Sequence, residues 1–166
     1  MGSVYGEKMT RAAERAAELE LPLLTINCSG GARMQEGVIS LMQMAKVSMA
    51  LTRLNAVRQP HFSLLVDPCF GGVLASYPSV ADVIIAEPGA NIGFAGSRVV
   101  SQTIGGKMPD RHQTAEYMFE HGMVDMVTPR GELRALLTRL LTLYGGESPL
   151  ELPVLEGALV EQEHNK

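Results

Sequence analysis

Twice in this chain an apolar run ends in a polar break and a pair of glycines, with helix-forming residues immediately after. The first instance is LPLLTI followed by NCSGGARMQEG, with Gly30 and Gly31 at the hand-over. The second is PHFSLLVDPCFGGVLASY, where Gly71 and Gly72 occupy the same place. A short apolar run that turns through glycine into a helix is the strand-to-helix unit of an α/β domain. Its repetition implies a largely parallel sheet with helices between the strands. Ligands of such sheets sit at the carboxyl ends of the strands, which is where both glycine pairs fall.

The remaining segments fit that frame. Residues 6 to 20 carry strong helix formers with an apolar stripe of Met9, Ala12, Ala13, Ala16 and Leu19, and Pro22 ends the element. Leu23 to Asn27 reads as a short buried strand, and residues 34 to 57 read as one long helix. That helix is apolar on two sides, with Val38, Leu41, Met42, Ala45 and Met49 on one and Met44, Val47, Leu51 and Leu54 on the other. Such a helix is expected to be sandwiched inside the domain or against a partner. VADVIIAEPGANIGFAG reads as two short strands about a turn at Glu87-Pro88-Gly89. A helix over 111 to 121, a strand in MVDMVTP and an amphipathic helix through Leu133, Leu136, Leu137, Leu140 and Leu141 complete the domain. Residues 146 to 166 read as a loose acidic tail.

Composition closes several alternatives. At 166 residues, 46% hydrophobic and 19% charged, the chain suits one globular domain. A net charge of −4 opposes a groove that tracks nucleic-acid backbone, so no nucleic-acid partner is expected. Two cysteines without a CxxC pair, and four scattered histidines, give no metal-ligating pattern. No signal-peptide pattern and no run of membrane-spanning length is visible, so the expectation is a cytoplasmic protein that does not enter a membrane.

The glycine turns are the candidate site. Backbone N–H groups at the start of a helix have no partner within it, and glycine allows them to approach a ligand closely. Two such turns facing one another would supply donors from opposite sides to a single oxygen, an oxyanion hole. Loss of one such donor typically costs about 100- to 1000-fold in rate. Either pair alone also serves as a plain turn, and neither matches GxGxxG or GxxxxGK[ST].

Three strings carry a resemblance: SGGARMQEGVISLMQMAK, DPCFGGVLAS and ADVIIAEPGANIGFAGSRVVSQT. Together they resemble the β subunit family of bacterial acetyl-CoA carboxylase carboxyltransferase, over residues 1 to about 144. HGMVDMVTPRGEL also resembles the closing unit of its superfamily. The resemblance implies the crotonase (ClpP-like) fold of repeated ββα units over residues 1–145, truncated at the N-terminus. Full-length members carry a zinc ribbon and early strands before the segment present here, whose loss would expose a sheet edge or core face.

The implied activity is transfer of a carboxyl group from carboxybiotin to acetyl-CoA, giving malonyl-CoA. The biotin rides on a separate biotin carboxyl carrier protein, so no covalent cofactor is expected, and a carboxyltransferase α-type subunit supplies the rest of the site in a hetero-oligomer. By the match, Gly71 and Gly72 form the enolate hole, with Gly31 and Ala32 opposite. Gly30, Arg33, Phe70, Ala95, Gly96 and Arg98 are the implied substrate-binding positions, and Phe70 stands where the family has smaller residues. Decarboxylation of a malonyl thioester needs the same hole, and a truncated, silent subunit acting in assembly is the non-enzymatic alternative.

The side chains around these turns read as structural. Glu36 falls in a first helical turn, where an acid caps and meets the dipole. Asp67 and Asp82 read as caps or turn residues, and Cys28 and Cys69 as buried packing. Glutamates used by enoyl-CoA hydratases are replaced here by Val73-Leu74-Ala75-Ser76 and Gly96-Ser97-Arg98, so water addition to a double bond lacks its acid and base.

Overall fold

The computed structural model describes residues 1–105 and 111–145; the expected acidic tail over 146 to 166 lies outside them. Helix α1 (Ser3–Glu18) is followed by strand β1 (Leu23–Ser29), helix α2 (Val38–Ala56), strand β2 (His61–Phe70) and the single turn α3 (Gly71–Leu74). Strands β3 (Val83–Ala86) and β4 (Ile92–Gly93), helices α4 (Ser97–Ile104) and α5 (Ala115–Glu120), strand β5 (Met126–Val127) and helix α6 (Leu133–Gly145) complete the order. Among the described residues no helix is long and apolar enough to cross a membrane.

The strands lie in the order β1-β2-β3-β5, every pair parallel, as the alternation of elements implies. β3 and β4 form on either side of the Glu87-Pro88-Gly89 turn but do not pair with each other. Both pair with β2, which at ten residues is long enough to hold β3 along its first half and β4 at its end. In the ladder between β1 and β2, Asn27 opposes Leu65 and Ser29 opposes Cys69, with a register shift between them.

β2 is buried from His61 through Leu65, the mark of a strand covered on both faces. On one face α1, α2 and α3 enclose Leu65, Cys69, Val73, Tyr77, Ala86 and Ile92. On the other, Leu133 and Leu140 of α6 cover Phe62, Leu64, Val83 and Ile85. At the edge of the sheet, Leu24 and Ile26 stand beside Phe62 and Leu64 in register but remain exposed, Ile26 at 63%.

Two helix expectations are corrected. The predicted helix over 34 to 57 is interrupted: Met34–Glu36 forms a 3₁₀ turn, and Gly37, at φ +55, stops it before α2 begins. Only one of its two apolar sides is buried in the domain, through Val47, Leu51 and Leu54, while Val38, Leu41, Met42 and Met49 face outward. The buried stripe of α1 also turns away from Ala12 and Leu19 to Gly6, Ala13, Ala16 and Ala17. Small residues win because α2 runs close: a methyl on Gly6 would meet Gln43 Oε1 at 2.1 Å.

A polar chain crosses the core between these layers. Tyr5 and Tyr77 share a hydroxyl–hydroxyl hydrogen bond, and Tyr77 OH donates to Asn27 Oδ1 at 2.7 Å. Asn27 Nδ2 donates to Ser63 Oγ (2.9 Å) and Thr25 Oγ1 (3.1 Å), and Thr25 Oγ1 meets His61 Nε2 at 3.0 Å. Burial pushes the imidazole of His61 down to about 4, against a smaller opposing pull from Asp82. The unfolded chain therefore binds a proton that the folded chain refuses, so this stability is present above about pH 6.5 and is lost as pH falls towards 4. The span from 6.5 to about 4 corresponds to roughly 3 kcal/mol. Urea titrations between pH 7.5 and 4.5 should show that fall, and His61→Gln should flatten it; an unchanged slope in the variant would remove His61 as its source.

Candidate active site at the paired glycine turns

The parallel pairing of β1 with β2 delivers both glycine pairs to the same end of the sheet, one turn beside the other. The contact is backbone on backbone. A methyl built on Gly31 would lie 3.3 Å from the Cα of Gly71 and 3.5 Å from the N of Gly72. One built on Gly71 would lie 3.1 Å from the Cα of Gly31 and 3.6 Å from the Phe94 carbonyl oxygen. Both residues also have positive φ, +117 at Gly31 and +63 at Gly71, in the range where side chains are strained. Glycine is thus required here twice over, by conformation and by approach.

The N–H groups around this junction differ in availability. Gly31 N–H donates to Ser29 Oγ at 3.1 Å, so it is engaged within its own turn. Gly71 and Gly72 open α3 and have no intrahelical acceptor for their N–H groups. Ala32 adjoins them, with its Cβ 3.5 Å from the position a methyl on Gly72 would take. The first pair does not lead directly into a helix, because the 3₁₀ turn and Gly37 separate Gly31 from α2. Any charge stabilisation by this turn is therefore that of individual amides.

Of the other sequence-designated residues, Phe70 ends β2 with its ring edge on Gly93: a methyl there would meet Phe70 Cε1 at 3.0 Å. Ala95 and Gly96 close the loop between β4 and α4, and a methyl on Gly30 or Gly96 would meet nothing within 4 Å. Arg33 is mostly exposed and pairs loosely with Glu36 at 3.9 Å, while Glu87 is held by Arg130 through contacts of 2.6 and 2.8 Å. Arg98 belongs to the first turn of α4, and its side chain lies outside what the structure describes.

Glu36 is committed to structure, though not to its own helix: its Oε2 accepts the Ser3 N–H at 2.6 Å, which holds its carboxyl below the usual range. Asp67 is likewise held low by accepting the backbone and side-chain N–H groups of Asn91, each at 2.8 Å. Asp82 Oδ2 accepts the His61 N–H. Cys69 is buried as expected, its thiol pushed up to about 12 by that burial, whereas Cys28 is exposed and donates to the Asp67 carbonyl. No general acid or base therefore stands out among these groups, which leaves backbone amides as the chemical content of the junction.

Sequence reasoning placed Met44 on an apolar side of its helix but not at the junction, where its Sδ lies 2.7 Å from the position a methyl on Gly72 would take. It missed Ser29 and Gln113. Ser29 carried a local signal, a hydroxyl immediately before the glycine pair and two residues before Gly31; Gln113 carried none.

A model of the carboxyl transferase domain matches residues 1–145. The chain belongs to the carboxyl transferase domain family. It is 74% identical over 147 residues to acetyl-coenzyme A carboxylase carboxyl transferase subunit beta 2 of Roseiflexus castenholzii, covering 89% of this chain and 49% of that relative. The chain thus spans about half the length of the curated relatives it matches. Among solved structures, this carboxyl transferase domain resembles a transcarboxylase 12S chain with methylmalonyl-coenzyme A and methylmalonic acid bound. There the TM-score is 0.74 and the identity 26%, over 85% of this chain and 28% of that one. It also resembles a chain of the MdcD-MdcE hetero-dimer of a Pseudomonas malonate decarboxylase, at TM-score 0.70 and 25% identity over 90% of this chain and 67% of that one. These neighbours carry the crotonase fold that the sequence resemblance implied.

Proposed function

We propose that this chain is a β-type carboxyltransferase subunit that moves a carboxyl group from carboxybiotin to acetyl-CoA or another short acyl-CoA. The observation that carries the reading is the contact between Gly31 and Gly71, in a chain so similar to the β subunit of acetyl-CoA carboxylase. When the methyl carbon beside a thioester loses its proton, the electron pair delocalises onto the carbonyl oxygen. That carbon then bonds to the carboxyl carbon as the carboxyl's bond to the biotin ring nitrogen breaks, and the biotin left behind takes up the proton lost from the methyl carbon. Fixed N–H donors at the oxygen stabilise the developing charge without reorganising and without titrating. Gly71 and Gly72 supply them from one turn; Ala32 is the better donor of the other, since Gly31 N–H is already engaged by Ser29.

The opposing half of the pocket belongs, in this reading, to an α-type partner subunit, and the biotin to a separate carrier protein. The outward side of α2 is the surface assigned to that partner. Its apolar residues Val38, Met42 and Met49 run directly on from Met34 and the first glycine turn, so a subunit seated there also reaches the pocket. A second reading is supported by the likeness to malonate decarboxylase: a malonyl thioester loses carbon dioxide and leaves its electron pair on the same oxygen.

The two separate in one assay. The purified chain with malonyl-CoA alone should release no carbon dioxide, and turnover should require both an α-type subunit and a carboxybiotin donor. Carbon dioxide release by the chain alone moves the assignment to decarboxylation. Tight association with that subunit but no turnover in either assay leaves only a role in assembly.

A further inference from the structure

We propose that Gln113 is a positioning residue that holds the far wall of the pocket in place. Residues 111 to 115 run beside β4: Asn91 bridges Thr114, the Ile92 N–H donates to the Gln113 carbonyl at 2.7 Å, and the Ala115 N–H donates to Ala90 at 2.9 Å. From that backbone anchor the Gln113 side chain passes over Gly93 and its Nε2 donates to the Ala95 carbonyl. Glycine is needed beneath it, since a methyl on Gly93 would come within 2.8 Å of Nε2.

The bond acts on more than one atom. A peptide unit is planar, so fixing the Ala95 carbonyl also fixes the Gly96 N–H on the opposite side of the same plane. Gly96 is the residue from which α4 starts, and the neighbouring Phe94 carbonyl lies against Gly71. Gln113 thereby couples the Phe94–Gly96 loop, whose Phe94 side chain is exposed, to a strand edge anchored in the sheet. The site consequently has three walls: the Gly31 turn, the Gly71 turn and this loop. The inference rests on the reading of the junction as an enolate pocket.

Two variants separate the donor from the bulk of the side chain. Gln113→Glu keeps size but replaces the N–H donor with an acceptor facing a carbonyl, and Gln113→Met keeps length without either. In the full chain, hydrogen exchange of the amides between Phe94 and Val100 should quicken about tenfold in both variants, while amides of β1 hold their wild-type rates. In the complex with the partner subunit, kcat should fall about tenfold for Gln113→Glu and less for Gln113→Met, with the KM for acetyl-CoA moving much less than kcat. Wild-type exchange in both variants overturns the proposal, as does an equal loss in both variants carried by KM. If the wild-type complex turns over neither substrate, the enolate reading falls, and the exchange measurement still decides whether Gln113 holds the loop.

Discussion

Replacing Gly71 by valine should lower turnover by at least 100- to 1000-fold, the loss associated with removing a preorganised donor from an oxyanion hole. Two independent effects act together. At φ +63 a β-branched residue is strained, so the first N–H groups of α3 turn away from their present direction. The new side chain also meets the Cα of Gly31, which lies 3.1 Å from the first added carbon, and pushes the two turns apart. The obstacle is backbone on both sides, so no rotamer change relieves it. Gly72 is more forgiving, because the atom in its way is the thioether of Met44, the flexible part of a side chain. The expected order of damage is therefore Gly71→Val above Gly72→Ala, read as kcat in the complex with the partner subunit. A thermal unfolding midpoint on each variant separates lost chemistry from lost fold, and Gly131→Ala, at an open surface position, serves as the unaffected reference. Wild-type kcat in Gly71→Val, with the fold intact, would sink the assignment of this turn to charge stabilisation.

The largest stability effect is expected on the opposite face of the sheet. Phe62 is 1% exposed, packs among Leu64, Val83, Ile85, Leu133 and Leu140, and meets Tyr144 edge-to-face at 5.5 Å. Phe62→Ala should cost roughly 3–5 kcal/mol, from lost burial plus the cavity left behind. The cluster holds α6 to the sheet through Leu133 and Leu140, so α6 should lose protection first. Denaturant titration with hydrogen exchange checks both statements; a loss below about 1 kcal/mol would mean that α6 closes over the gap.

Much of this architecture was legible in the sequence for physical reasons that can be named. β2 read as a buried strand because Phe62, Leu64, Leu65 and Val66 form an apolar run broken only by the small Ser63, and a strand apolar on both faces belongs in the middle of a parallel sheet. The paired glycine turns were legible because parallel strands carry equivalent positions to the same end of the sheet. What sequence pattern did not show was decided by pairing between distant segments. The helix break at Gly37 was missed because Met34, Gln35 and Glu36 are good helix formers, and a single glycine inside such a run can be tolerated. The pairing of β4 with the end of β2 depends on the length of β2, not on any residue in Ile92 or Gly93. The polar chain from Tyr5 through Tyr77 and Asn27 to His61 joins four separate elements, and no local period announces it. Gln113 is the same case within the site: its partner, Ala95, is a backbone carbonyl and leaves no mark on the sequence.

The register shift in the β1–β2 ladder sets the alignment of the two turns. From Asn27 to Ser29 the chain advances two residues, while across from them β2 advances from Leu65 to Cys69, four residues. An unshifted ladder would bring Ser29 opposite Asp67 and Gly31 opposite Cys69, a buried side chain in place of an open backbone. The two surplus residues of β2 work as a spacer that slides one glycine pair along the strand until it meets the other. The distance between the walls is thus set by residue count upstream of the glycines. In this stretch a change of chain length that the sheet would absorb is one that the pocket would not.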